Sequence, residues 1–418
     1  MVPTDSSRSE AARSRSVTSR RRFLALAGTA SVTALAGCNA LTTDGERTGF
    51  HGGDWLVYGN APDNANRVSG AAPAPDENAP LVPADWPYAP PVVHDEVVYF
   101  AAERRAVAIG TDGRDEWTRD LDREVSGAPA LDPERGRLYV PTRDVGRADD
   151  AEQGGDTGPE RASVTVLSTT EGDVLDSHRV GDERTYGVTV ADGDVYARGA
   201  TACVRLAPDG TERWRRSLDR LVYDEYNLGD STATQIPPAV TDEGVYVPDR
   251  NALVKLDRES GEERWRVPVD TPYAAAVADG SGVIQTGWQE TVAVDRAGEV
   301  RWRRDLQSRA PVAVGGSDVY VVAGDLYELD GESGETNWQA HVPSEGTAAP
   351  VVTDEDVLVA GSGVRAFRRD AGGLLGPERL RWREDSVHAT AYASPVVAAG
   401  RAFVAGPFGL LVLERDGE

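Results

Sequence analysis

Few side chains in this chain of 418 residues are equipped for chemistry, and they are scattered. There are two cysteines, Cys38 and Cys203, and five histidines, His51, His94, His178, His341 and His388, none at metal-ligand spacing. The only methionine is Met1. No glycine-rich phosphate loop opens a helix, and no strained nucleophile turn is present. No catalytic residue, metal ligand or cofactor is therefore assigned. What does recur is tyrosine. Tyr88, Tyr186, Tyr273 and Tyr392 occupy corresponding places along the chain, and Ser126, Gln235, Arg309 and Thr347 fill the same place elsewhere. Gathered on one rim, such side chains combine apolar faces with hydroxyl, amide and guanidinium donors and suit a sugar, a peptide or an aromatic ligand.

A repeat would gather them. Its fullest wording is Leu253, Val254, Lys255, Leu256, Asp257, a turn through Ser260 and Gly261, then Arg264 and Trp265. It returns at Val292 to Trp302 and at Leu326 to Trp338. An opening strand pair precedes each copy, at 91–100, 129–140, 188–196, 238–247, 275–284, 311–321, 350–359 and 395–404, which makes eight units. Alternating apolar residues closed by Asp and Gly turns are the period-two signal of strands, and no stretch sustains a helical period. Units that cannot bury their own apolar faces must lean on neighbours. The expected fold is all-β, an eight-bladed propeller of four-stranded antiparallel blades, with the closing Trp117, Trp214, Trp265, Trp302, Trp338 and Trp382 as packing between blades. The second unit has no such Trp near Ser177. The eighth ends before one, so an N-terminal strand, Trp55 to Tyr58, is expected to pair with the C-terminal strands and close the ring.

The N-terminus reads as an address. Arg20 and Arg21 stand ahead of an apolar, Ala-rich run ending in Leu35, Ala36, Gly37, Cys38. That run is too short to span a bilayer, while paired Arg resembles the signal for export of folded proteins and the last four residues resemble a lipobox. Expected domains are thus a signal over 1–38 with Cys38 as lipid anchor, a flexible tether over 39–53, and the propeller over 54–418. Residues 144–161 read as a mobile surface loop. Residues 219–235, with Tyr223, Asp224, Glu225, Tyr226 and Asn227, read as a contact loop or an ordered Ω-loop.

Asp plus Glu number 69 against 44 Lys plus Arg, for a net charge of −25, and Lys255 is the lone lysine. Such a field repels nucleic acid and anionic headgroups, leaving lipid as the membrane contact. The acidic, Lys-poor composition is that expected of a salt-adapted protein, and with the leader it resembles a haloarchaeal lipoprotein.

Leu256, Asp257, Ser260, Gly261, Glu262, Trp265 and the matching Leu329, Asp330, Ser333, Gly334, Glu335, Trp338 resemble the quinoprotein-type (PQQ-like) propeller repeat over about residues 54–418. The enzymatic branch of that family implies pyrroloquinoline quinone, calcium and a disulfide between adjacent cysteines. Cys203 sits between Ala202 and Val204, which departs from that pattern. The non-enzymatic branch, the lipoprotein of the barrel-assembly machinery, agrees in length, lipobox and number of units. The resemblance therefore implies an extracytoplasmic, lipid-anchored scaffold for a protein or carbohydrate partner, with a quinone-dependent dehydrogenase of alcohols or sugars as the alternative.

Overall fold

A computed structural model describes residues 53–75, 77–85, 87–144, 161–221, 235–342, 347–371, 378–390 and 392–414. These form eight antiparallel sheets, which run from an innermost to an outermost strand in chain order except in the eighth, whose outermost strand comes from the N-terminal side, and in the second, where Glu124–Val125 adds a fifth strand. The first blade is Val92–His94, Val97–Ala102, Arg105–Gly110 and Asp115–Asp120. Its first hairpin turns through Asp95 and Glu96, both at positive φ, the mirror-image turn whose twist matches the strands. The innermost strands that follow are Ala130–Asp132, Thr185–Ala191, Ala239–Thr241, Val277–Ala278, Ala313–Gly315, Val351–Val352 and Val396–Ala398. A single 3₁₀ turn, Pro133–Arg135, is the one helical element among the described residues. The seventh blade departs from four separate strands. Asp356–Arg368 runs unbroken, pairing with Val351–Val352 by its first half and with Leu380–His388 by its second. Gly361 and Gly363, the latter at φ 105°, let it bend between the two.

The tryptophans bind blade to blade. Trp117 Nε1 donates to Thr169 O at 2.7 Å, Trp214 to Arg258 O at 2.9 Å, Trp265 to Arg296 O at 3.2 Å and Trp302 to Gly331 O at 2.9 Å. Each acceptor lies in the turn before the outermost strand of the next blade. The same turn carries a glycine in the left-handed region whose Cα lies against the indole. A Cβ on Gly261 would sit 2.7 Å from Trp214, and one on Gly334 2.7 Å from Trp302. The Asp and Gly of the repeat thus have separate tasks. Asp257 Oδ1 accepts from Ser260 N at 2.8 Å and Glu259 N at 3.0 Å to shape the turn, and Gly261 makes room for the neighbour's ring.

The ring is closed by an N-terminal strand. Glu77–Pro83 pairs antiparallel with Gly409–Glu414, Asn78 opposite Leu413 and Val82 opposite Leu410, and becomes the outermost strand of the eighth blade. The expected closing strand, Trp55 to Tyr58, lies elsewhere. Trp55 exchanges both backbone hydrogen bonds with Val93 at 2.7 and 2.8 Å, on the innermost strand of the first blade. Glu77–Pro83 escapes period-two reading because of Pro80 and Pro83. An outer edge strand tolerates proline, since half of its N–H groups face solvent, and the register slips between Pro80 and Val82.

Residues 54–72 line the inside of the ring. Leu131 N, Val240 N, Ala278 N, Val314 N and Val352 N donate to the carbonyls of Leu56, Pro62, Asp63, Ala65 and Asn66, and Val68 N donates to Val352 O. The segment therefore meets the innermost strands of blades one, two, four, five, six and seven in turn. Asn64 Nδ2 reaches Pro237 O and Ala276 O, and Asn66 Nδ2 reaches Val312 O, each at 3.1 Å. Inner strands otherwise present unpaired backbone groups to the axis, a cost this one stretch removes.

Candidate binding face around the channel mouth

Six of the eight innermost strands have a proline among the three residues just ahead of them, the exceptions being those that open at Thr185 and Val277. Tyr58 is 2 % exposed and packed on Ala89, Ala128 and Ala275 from blades one, two and five. Burial pushes its phenol up to about 12, the Ser394 hydroxyl of blade eight pulling weakly the other way. Tyr58 thus plugs the space between these three blades from inside the chain.

The rim positions separate into two groups. Tyr186, Tyr273, Gln235, Ser126 and Thr347 are buried within the wall. Gln235 Oε1 accepts from Ala128 N at 2.7 Å and Ser126 Oγ donates to Thr185 O at 3.0 Å, so both serve as struts between blades. Tyr186 packs with Leu221, Ile236 and Tyr273, and the Arg184 and Arg198 guanidiniums lie 4.4 and 5.7 Å from its ring centre. Tyr88, Arg309 and Tyr392 are half-buried and face outward enough to be reached. Burial raises the Tyr273 phenol pKa, nearby Arg309 works against that rise, and Tyr392, at φ 68°, adds to it least. Of the positions that repeat phase groups together, five are therefore buried and three half-buried.

Trp288 is the residue that reading misses. It sits in the hairpin between the second and third strands of blade five, out of phase with the closing tryptophans. Its ring lies 5.4 Å from that of Tyr273, and Arg309 stacks on both, 5.7 Å from Tyr273 and 5.4 Å from Trp288. The hairpin is fixed by Trp288 N on Asp270 O and Thr271 O, and Gly287 cannot be replaced without placing a Cβ 2.3 Å from Asp270 O. A Trp immediately after a turn Gly, without the repeat's Asp ahead of it, is the signal that could have marked it.

The other singled-out residues hold structural places. Cys203 is fully buried in Ala202–Leu206, its thiol pushed up to about 12 by desolvation. His94 Nδ1 faces Asp54 Oδ2 at 3.1 Å, and His341 faces Asp325 at 2.9 Å. Among the described residues no group of three or more His, Cys, Asp or Glu is arranged to hold a metal. With a lone thiol, an axis filled by Tyr58 and no such donor set among these residues, the side chains present do not fit the quinone and calcium of the enzymatic branch. Arg20, Arg21 and Cys38, and most of the two insertions including Tyr223 to Asn227, lie outside the described residues. No described helix is long and apolar enough to cross a membrane.

Eight radial sheets with a Trp-docked repeat define a PQQ-like β-propeller. The sequence matches the family model described as Outer membrane protein assembly factor BamB over residues 192–295 and 288–418, more than half of the chain, and the chain belongs to that family. It is 30 % identical over 121 residues to an "Outer membrane protein assembly factor BamB" of Nitrosomonas eutropha, a match spanning 27 % of this chain and 30 % of that relative. Among solved structures it resembles BamB from Moraxella catarrhalis with a TM-score of 0.63 at 13 % identity, covering 83 % of this chain and 99 % of the other. It also resembles the quinohemoprotein alcohol dehydrogenase of Comamonas testosteroni with a TM-score of 0.62 at 13 % identity, covering 86 % and 80 %. At such identities the structural likenesses concern the fold, which assembly factor and dehydrogenase share.

Proposed function

We propose that this protein is a non-catalytic scaffold, exported and held at the outer face of the cell membrane by lipid on Cys38, whose propeller binds a protein partner. The observation that carries the reading is the occupied axis. In a fold shared with dehydrogenases, this chain spends its own residues 54–72 on filling the space around the axis, leaving faces and rim as the usable surface. The family's description as an assembly factor favours a protein over a carbohydrate partner. The acidic surface keeps the scaffold dispersed at high salt and confines attraction to short-range contacts.

Affinity recovery from intact membranes of the native cell, with cross-linking in molar KCl, should return a defined protein partner. Cys38→Ser should release the chain from the membrane fraction while leaving partner binding intact. Dye-linked oxidation of alcohols or sugars after addition of pyrroloquinoline quinone and calcium would overturn the non-catalytic reading. Recovery of no partner would overturn the scaffold.

A further inference from the structure

Among the described residues, Arg309 is a rim arginine with no carboxylate beside it. Many other arginines here are committed: Arg205 pairs with Asp194 at 2.7 Å, Arg266 with Asp249 at 2.7 Å and Arg264 with Asp257 at 2.6 Å. Arg309 has no carboxylate partner among the described residues, in a chain where carboxylates far outnumber basic groups. It is nonetheless held in place. Its guanidinium stacks on Tyr273 and Trp288, and the backbone that carries it is pinned by Ser308 Oγ accepting from Ala310 N at 3.2 Å and by Thr286 Oγ1 donating to Ala310 O at 2.8 Å. A guanidinium held within cation–π distance of two rings and without a carboxylate partner retains N–H donors for a planar, two-oxygen acceptor.

We infer that Arg309, with Trp288 and Tyr273, is a carboxylate-reading site for an acidic segment of the partner protein, a deepening that rests on the scaffold reading above. The fork of Arg309 takes an Asp or Glu carboxylate, and the half-exposed face of Trp288 supports the neighbouring apolar side chain. An acidic sugar fits less well. A sugar ring needs several donors and acceptors around its hydroxyls, and many of those nearby are engaged internally or, like Gln285 Oε1, buried out of reach. Gln285 Nε2 is used on Ala274 O and Thr286 O, Ser308 Oγ and Thr286 Oγ1 on Ala310, and Glu290 Oε1 on Arg303 and Asp270 N. A carboxylate asks only for the fork and an apolar shelf. The long-range repulsion between this chain and an acidic partner is screened within about 3 Å at molar salt, and the stacked contact persists because it is short-ranged.

The test uses the whole chain in molar KCl on an array of peptides in matched pairs, Glu in one member and Gln in the other, with oligogalacturonate as a separate arm. Glu members should be retained about tenfold more strongly than their Gln twins, the scale of one charge-assisted pair. Arg309→Gln should abolish that preference with an unchanged melting temperature, and Arg309→Lys should retain part of it. Equal retention of both members, a preference that survives Arg309→Gln, no retained peptide, or Arg309-dependent binding of oligogalacturonate alone would each overturn the inference. A membrane partner recovered equally by wild type and Arg309→Gln leaves the scaffold standing and removes this site. Failure of both to recover any partner removes the scaffold itself.

Discussion

Blades three to six and the arc that runs from blade seven through eight to blade one solve the same packing problem differently. In the first arc each junction has an indole hydrogen-bonded to the next blade's turn and a Gly beneath it, and the junction of blades three and four adds an ion pair of Arg216 with Glu263 at 2.9 Å and a hydrogen bond from Arg258 Nε to Tyr196 Oη at 3.1 Å. In the second, Trp382 is half-buried with its Nε1 unpartnered among the described residues, and the eighth blade has no closing Trp. There the junctions rest on one continuous apolar cluster in which Trp55, Phe100, Val82, Val396, Phe403, Leu410 and Val412 interlock. The directional solution is local and repeats; the apolar one joins residues separated by most of the chain. Closing a ring from a linear chain requires one junction of the second kind, because only there do the ends meet.

That contrast can be broken experimentally. Deleting residues 54–83 removes both the axial filling and the outer strand of blade eight, and should abolish cooperative unfolding altogether. Addition of the missing segment as a peptide should restore a melting transition, monitored by circular dichroism. Trp302→Ala should cost about 3–5 kcal/mol and Trp382→Ala roughly half that in guanidinium titrations, since only the first loses a buried ring together with its hydrogen bond. Equal losses would erase the distinction between the arcs. Gly334→Ala, forced against Trp302 at φ 72°, should cost about 2–3 kcal/mol, whereas Gly324→Ala, at φ 78° with open space around it, should cost about 1 kcal/mol. The smallest effect at neutral pH is expected for Tyr58→Phe. The Tyr58 phenol titrates near 12 when folded against 10 when free. Its contribution is therefore complete below pH 10 and lost as pH climbs toward 12, so the Phe variant should resist alkaline unfolding better than the parent.

The directional arc was legible because its rules are short-range. Asp257, Gly261 and Trp265 fall within nine residues, and each has a local duty in turn or junction. The closing strand was not legible, because Pro80 and Pro83 disguise a strand that exists only by virtue of a partner more than three hundred residues away. Trp55 misled for the complementary reason. An apolar run ending in Tyr58 resembles a blade strand, yet its backbone partner is the inner edge of blade one. Repeat phase carried no information about depth, so buried Tyr186, Gln235 and Tyr273 were grouped with half-buried Tyr88, Arg309 and Tyr392. Trp288 lies off that phase altogether.

The placement of residues 54–72 also sets an order of events during synthesis. They emerge from the ribosome before any of the strands they will touch, and Asn78 must wait for Leu413, more than three hundred residues further on. No nascent fragment can have a finished centre. Early blades stack in sequence while the leading stretch stays uncommitted, and the ring locks only once the hairpin of Arg401–Gly406 and Gly409–Glu414 is free to receive it.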